Sequence, residues 1–544
     1  MPLVSADVFE QTFDVCIVGA GPAGLSCAFA CHDRGLRVLL LDAGDKRPVP
    51  GSPDILAAEI KNTSAHDPIE IVAASALGGS SHWWGGRALP LDPADLRDWP
   101  ISWDEMLPWW RNAAETLGAG SVIERPAPGK FSGLEKFDAT GFESWAPDHV
   151  LTHRWRGRIA AKDGPAIVLR ARVTGMQRTG GEISALDVTT PAGSRIVTAQ
   201  HFVLTGGGLG SLRLMLLAQR SDPALFGGPN GPLGRGYMGH LTGSISDIVF
   251  SERKDAETFN FVSSGAGYLT RRRIRPLAAT VEQDDICNAA FWLDHPTRGS
   301  AAHGSAMASA RFLAACGVRL LAGEWGAEEL PPLGPHFTNV GRSPLAAAAG
   351  LSQAAWMLAM SRIVRYRYLP RSFLSSGENG WRLVYHAEQR PNPANRISLA
   401  ATQDSIGLPK LNIDFGFSEA DAALVIRAHE LLDRDLRDSG AGSLRWTAKD
   451  PQATVIDWAR DGYHQLGGSP MSASPAHGVV DRNCRAHGLD NLWVASGSVF
   501  PTGGQANPTL TIMALACRVA DRIASLRRYR AEDLAQPVIL EQAS

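Results

Sequence analysis

Gly19-Ala20-Gly21-Pro22-Ala23-Gly24 has the glycine spacing that holds a pyrophosphate. Gly19 permits a tight turn, Gly21 lets the backbone approach phosphate oxygens, and Gly24 lets a helix lie close to a strand. Phosphate would sit on the free N–H groups that open a helix. Asp42, 18 residues past Gly24, is placed to accept hydrogen bonds from ribose hydroxyls. The turn by itself leaves FAD and NAD equally open.

The elements around it support this chemistry. Phe13 to Val18 is an apolar run fit for a buried parallel strand, and Leu25, Ala28 and Phe29 recur at helical spacing up to Gly35. A second apolar strand, Arg37 to Leu41, ends at Asp42. The order is strand, glycine turn, helix, strand, acid.

Bulk properties narrow the class. A chain of 544 residues predicts two or three domains. A net charge of −2 gives no support for nucleic acid as a partner, and no run of about 18 apolar residues predicts a membrane span. Met1 to Gln11 contains Asp7 and Glu10 and lacks the basic and apolar regions of a secretory signal. Seven scattered cysteines without a C-x-x-C pair predict reduced thiols, with no haem attachment and no metal ligand set. The cytoplasm is the expected compartment.

Further motifs lie towards the C-terminus. They are His464-Gln465-Leu466-Gly467-Gly468-Ser469-Pro470-Met471, Gly488 to Val494, Ser498-Val499-Phe500-Pro501-Thr502-Gly503-Gly504 and Asn507-Pro508-Thr509-Leu510-Thr511. Together they resemble the closing segment of the glucose-methanol-choline (GMC) oxidoreductase family. The branch most similar holds pyranose oxidases, fructose and gluconate dehydrogenases, and glycoside 3-oxidising enzymes. Three further blocks agree. Ala76 to Ser81 with Trp84-Gly85-Gly86-Arg87 resembles the second flavin loop, Phe202 to Leu217 a strand-glycine-helix element, and Glu388 to Leu399 a block of the sugar dehydrogenases. About 250 to 380 carries no match.

The resemblance makes the dinucleotide FAD. It implies cofactor contacts from Gly19, Gly21, Pro22, Ala23, Gly24, Asp42, Gly78, Gly79, Ser80, Ser81, His82, Val173, Gly206, Ser498, Pro508 and Thr509. The family usually carries glutamate at the position of Asp42; the shorter aspartate implies a single or water-bridged ribose contact. In pyranose oxidases a histidine after the glycine pair is bonded covalently to flavin. His82 stands one residue nearer the pair, so a covalent bond, a plain contact and no contact all stay open.

For catalysis the resemblance makes His464 the base that accepts the hydroxyl proton, while Asn507 orients the alcohol. Trp83, Trp84 and Glu388 are candidate substrate contacts. The tryptophans of Ser102-Trp103-Asp104-Glu105 and beyond fit a capped helix packing its aromatics inside. His240 reads as structural, and Arg271, Arg272, Arg273 and Arg275 read as a solvated face.

The implied fold is α/β: a Rossmann-like FAD domain from 10–240 and 455–530, interleaved with an α+β substrate domain, 241–454, built on an antiparallel sheet. Phe250 to Thr270 and Trp381 to Asp414 alternate as strands should, and Leu345 to Ile363 is expected as a helix on the sheet's outer side. The implied activity is oxidation of a hydroxyl on a sugar, glycoside or related polyol. The implied acceptors are oxygen, a quinone or a separate cytochrome subunit. A non-carbohydrate alcohol, or a lyase that keeps FAD without redox chemistry, is the alternative.

Overall fold

The computed structural model describes residues 6–49, 56–120, 133–148, 150–263, 268–294, 301, 304–321, 332–363 and 380–535. A five-stranded parallel sheet carries the glycine turn. Its order is Leu492–Val494, Ala199–Leu204, Phe13–Val18, Val38–Leu41, Ala166–Val168. Every residue of Phe13–Val18 and Val38–Leu41 is buried, as parallel strands covered on both faces require. Helix Pro22–His32 packs on these strands and against helix Thr509–Ala535, whose buried stripe includes Met513, Ala516, Ala520 and Ile523. The first and last motifs of the sequence are therefore neighbours.

A four-stranded antiparallel sheet stands beside it, in the order Ala289–Asp294, Gly380–Glu388, His240–Phe250, Gly442–Trp446. Side chains alternate across it. Leu383, Tyr385 and Ala387 join Leu241, Ile248 and Phe291 in a second core, closed by Leu424, Val425, Ala428 and Leu432 of helix Glu419–Asp438. His386 and Glu388 project from the opposite face. His240 pairs with Glu388 in register, so three polar groups gather on the side turned to the parallel sheet.

The chain passes between these units more often than the segment boundaries imply. Phe137 and Ala139 pack in the second core, and Phe142–Trp145 pairs with Leu269–Arg272. Conversely Ile397, Leu411 and Ile413, from 241–454, pack in the first core. Helix Pro344–Ile363 forms where expected, but its Ala347 packs against Ala306 and Ala310, apart from the sheet core. Helix Trp103–Leu117 has its capping box, with Ser102 and Glu105 bonded reciprocally, and Trp110 is fully buried with its indole N–H on Thr511.

The arginine run is not a solvated face. Arg271, Arg272 and Arg273 are all buried. Arg271 pairs with the fully buried Glu143, which also binds Arg87, and Arg272 donates to the Ala139 carbonyl. Arg273 donates to Gln505 at 2.6 Å, and Arg275 pairs with Asp92 and Asp138. Partners more than 120 residues away in the chain supply this compensation, so local charge density could not reveal it. Burial raises the Glu143 pKa, but Arg271 and Arg87 outweigh it and hold the carboxylate below its ordinary range.

Glu143→Gln leaves two guanidinium groups without their anion. Breaking a buried ion pair costs about 3–5 kcal/mol. The variant is expected to melt well below the wild type; an unchanged melting temperature would show that Glu143 contributes nothing.

Candidate active site and cofactor cleft

A cleft of about 480 Å³ runs from the glycine turn to His464. Gly19, with φ +107°, turns the chain out of the first strand, and its amide donates to the Leu41 carbonyl at 2.7 Å. A Cβ on Gly24 would fall 1.7 Å from the Gly19 carbonyl oxygen, so only glycine fits. The helix opens at Gly21 with no side-chain cap, leaving first-turn amides for an anion.

Gly79 closes against this turn: its Cβ would lie 2.8 Å from the Gly21 Cα. Two bare backbones thus meet at the cleft floor, a cradle that side chains would fill. The cleft's lining, glycine cradle and uncapped helix fit a dinucleotide.

Of the residues expected to hold the cofactor, Gly19, Gly21, Pro22, Ala23, Asp42, Gly79, Ser80, Ser81, Val173, Gly206, Pro508 and Thr509 line this cleft, as do Trp83, Trp84, His464 and Asn507. Gly24, Gly78, His82, Ser498 and Glu388 are not on its wall. Gly24 and Gly78 act through the backbone, Gly78 with φ +94°.

The His82 Nε2 meets the Leu77 carbonyl at 2.9 Å, because the tight loop turns the ring back on its own chain. The Ser498 hydroxyl bonds Ser469 and Ser496 in the interior; Ser496 and Gly497 reach the cleft instead. Glu388 is buried beside Asn288 and 3.9 Å from Arg97, and burial raises its pKa. Strand alternation puts it one step beyond His386, out of reach of the cleft.

Asp42 also does different work from that expected. Its two carboxylate oxygens accept from the Ala20 amide at 2.6 Å and the Gly44 amide at 2.8 Å. Burial raises its pKa against those two bonds. The residue first holds the turn, and only its remaining lone pairs are left for a ribose.

The far end of the cleft is polar. His464 Nδ1 meets Asp461 Oδ2 at 3.0 Å, and the Asn507 side-chain amide meets His464 Nε2 at 3.0 Å. Asp461 also accepts from the backbone amides of His240, Gly462, Tyr463 and His464. Burial works against its charge, but His464, His240 and these amides hold its pKa well below the carboxylate range. An ionised Asp461 draws the ring proton to Nδ1 and leaves an Nε2 lone pair at the cleft.

Two buried histidines stand behind His464. His240 stacks on His386 with ring centroids 4.3 Å apart, and both rings lie nearly perpendicular to His464. Burial lowers the His240 pKa to about 3 and that of His386 well below its ordinary value, so both are neutral. Sequence reasoning missed His386 and Asp461. The first lies two residues before Glu388 on one strand face, and the second three residues before His464 in a non-helical turn; both spacings were available as signals.

Comparison with known proteins bears on the same residues. A family profile described as GMC oxidoreductase matches residues 391–516, and one described as NAD(P)-binding Rossmann-like domain matches 17–48. The C-terminal part of this chain thus matches the GMC oxidoreductase family. Together the matches support an FAD-dependent oxidoreductase.

The 2-methyl-1,2-propanediol dehydrogenase of Mycolicibacterium austroafricanum is 22% identical across 96% of both chains. The 6'''-hydroxyparomomycin C oxidase of Streptomyces lividus is 33% identical, over 25% of this chain and 23% of its own length. Among solved structures, the Aspergillus oryzae formate oxidase aligns at TM-score 0.51 and 14% identity, over 96% of this chain and 99% of its own. That likeness concerns the fold. No described helix is long and apolar enough to cross a membrane.

With the His82 ring turned onto its own loop, flavin in this cleft is expected to be held without a covalent bond. Acid precipitation should leave the yellow colour in the supernatant. Colour that stays with the pellet would place a covalent link in the loop.

Proposed function

We propose that the chain oxidises a primary or secondary hydroxyl of a sugar, glycoside or related polyol, with His464 as the base. The Asp461–His464–Asn507 chain at the end of the cleft carries this reading, because an imidazole held at Nδ1 by a carboxylate presents Nε2 as the atom to accept a proton. The substrate hydroxyl would give its proton to His464 Nε2. Asp461, ionised against Nδ1–H, would stabilise the imidazolium without taking the proton. Asn507 would leave Nε2 to hold the hydroxyl oxygen by its amide. The flavin, when bound, supplies the acceptor for the hydride from carbon.

The glycine turn, Ser80, Ser81, Val173, Gly206, Pro508 and Thr509 would hold it along the cleft. Trp83, 41% exposed at the cleft wall, and Trp84 offer faces on which a sugar ring could lie. The segments 10–240 and 455–530 would act as the flavin unit and 241–454 as the substrate unit, with the strand exchanges described above.

The aminoglycoside oxidase named above supports a glycoside substrate, and the diol dehydrogenase supports a small vicinal diol as second reading. Oxygen, a quinone or a cytochrome partner would reoxidise the enzyme. All seven cysteines are buried and unpaired, which fits a reducing compartment such as the cytoplasm.

An anaerobic screen of sugars, glycosides and diols, read as loss of flavin absorbance, tests the reaction class; failure of every alcohol to bleach the protein would overturn it. His464→Ala should stay yellow and folded yet bleach at least ~100-fold more slowly. Bleaching at the wild-type rate would remove His464 from the role of base.

Asp461→Asn is expected to slow bleaching by more than about tenfold through loss of the fixed tautomer, with partial recovery in Asp461→Glu. Equal rates in all three proteins would dismiss Asp461 as a positioning residue.

A further inference from the structure

His240, His386 and His464 each offer a ring nitrogen, and the three atoms lie within 4.8 Å of one another. They come from two adjacent strands of the antiparallel sheet and from the segment after Asp461. Two near-parallel rings face a third at almost a right angle.

Oxygen acceptors orient these rings. His464 Nδ1 is held by Asp461 at 3.0 Å, and His386 Nδ1 by the Gln505 carbonyl at 2.7 Å. His240 Nδ1 stands 3.8 Å from the same Asp461 oxygen. A carboxylate or carbonyl behind the far nitrogen is how metal-binding histidines are oriented, because it fixes the proton away from the ion.

His240 adds a second, independent observation. It is 1% exposed, and neither nitrogen has an aligned hydrogen-bond partner, although the backbone of Gly503 and Gly504 lies beside the ring. The ring is thus only weakly satisfied in the interior, and an ion would give it a stronger partner.

We propose that these three histidines form a site for one divalent transition-metal ion of the zinc, copper or nickel class. Neutral imidazole is the ligand form, and three nitrogens with an open fourth position suit such ions. Tetrahedral Zn–N bonds of about 2.0–2.1 Å place ligand nitrogens roughly 3.4 Å apart. The cluster must therefore tighten, which small ring rotations allow. The ionised Asp461, against two of the rings, offsets the charge of the ion.

Occupation has one consequence. The ion takes the His464 Nε2 lone pair and displaces the Asn507 amide, so the position read above as the base is blocked. A metal here inhibits; it takes no part in oxidation. The sequence carries no metal-spaced motif, since the ligands lie 146 and 78 residues apart.

The test uses the flavin-loaded enzyme after chelator treatment, titrated with zinc by calorimetry. One ion per chain is expected, with affinity at least about tenfold weaker in His386→Ala and in the better-packed His386→Gln. Equal binding in the wild type and both variants, or no binding in the wild type, would overturn the site. Zinc that binds with this dependence but leaves anaerobic bleaching unchanged would support the site and count against His464 as base.

Discussion

The buried carboxylate of Asp461 is the constraint around which this active site is assembled. One side chain accepts the first backbone amide of strand His240–Phe250, three amides of its own turn, and the imidazole of His464. Its own amide donates to Ala65. Five donors on one anion keep it charged in a place where burial alone would neutralise it. The same bonds tie the antiparallel sheet to the C-terminal segment, so the relative position of His240, His386 and His464 follows from Asp461.

The cofactor cleft depends on a different economy, that of missing side chains. Gly19, Gly24 and Gly79 sit where a Cβ would overlap backbone atoms, at 2.7, 1.7 and 2.8 Å respectively. Their contacts bring the first loop, the second loop and the strand end at Thr205 within backbone distance. Thr205 completes this by donating to the Val18 and Gly19 carbonyls. A floor built of backbone offers aligned N–H groups, whereas side chains there would exclude the ligand.

Behind the site, charge is managed in depth. Glu143 takes two arginines, Asp92 two more, and Gln505 links Arg273 to Asp92. The Gln505 carbonyl in turn receives the His386 ring. Asp95, pushed up to about 8 by burial and then by Glu388, belongs to the same layer. The polar groups that set the histidine orientations thus rest on a network spanning both sheets, and rigidity at His464 is borrowed from it.

The amino-acid sequence by itself determined the parallel strands, the glycine turn and the capped helix at Ser102, while the meeting of His464 with Asn507 was implied by the family resemblance of their blocks. Each rests on short-range patterns: apolar runs, glycine spacing, a capping pair, or motifs recognisable as blocks. Only the tertiary structure decided which side chains reach the cleft. It turned His82 onto its own loop, sent Glu388 and Ser498 inward, committed Asp42 to two backbone amides, and buried an arginine run that reads as surface. It also brought His386 and Asp461 to His464. For the arginines and His386 the physical reason is that the compensating partner lies far along the chain; for His82 and Asp461 it is that the local turn geometry, which residue types do not specify, decides which way the side chain points.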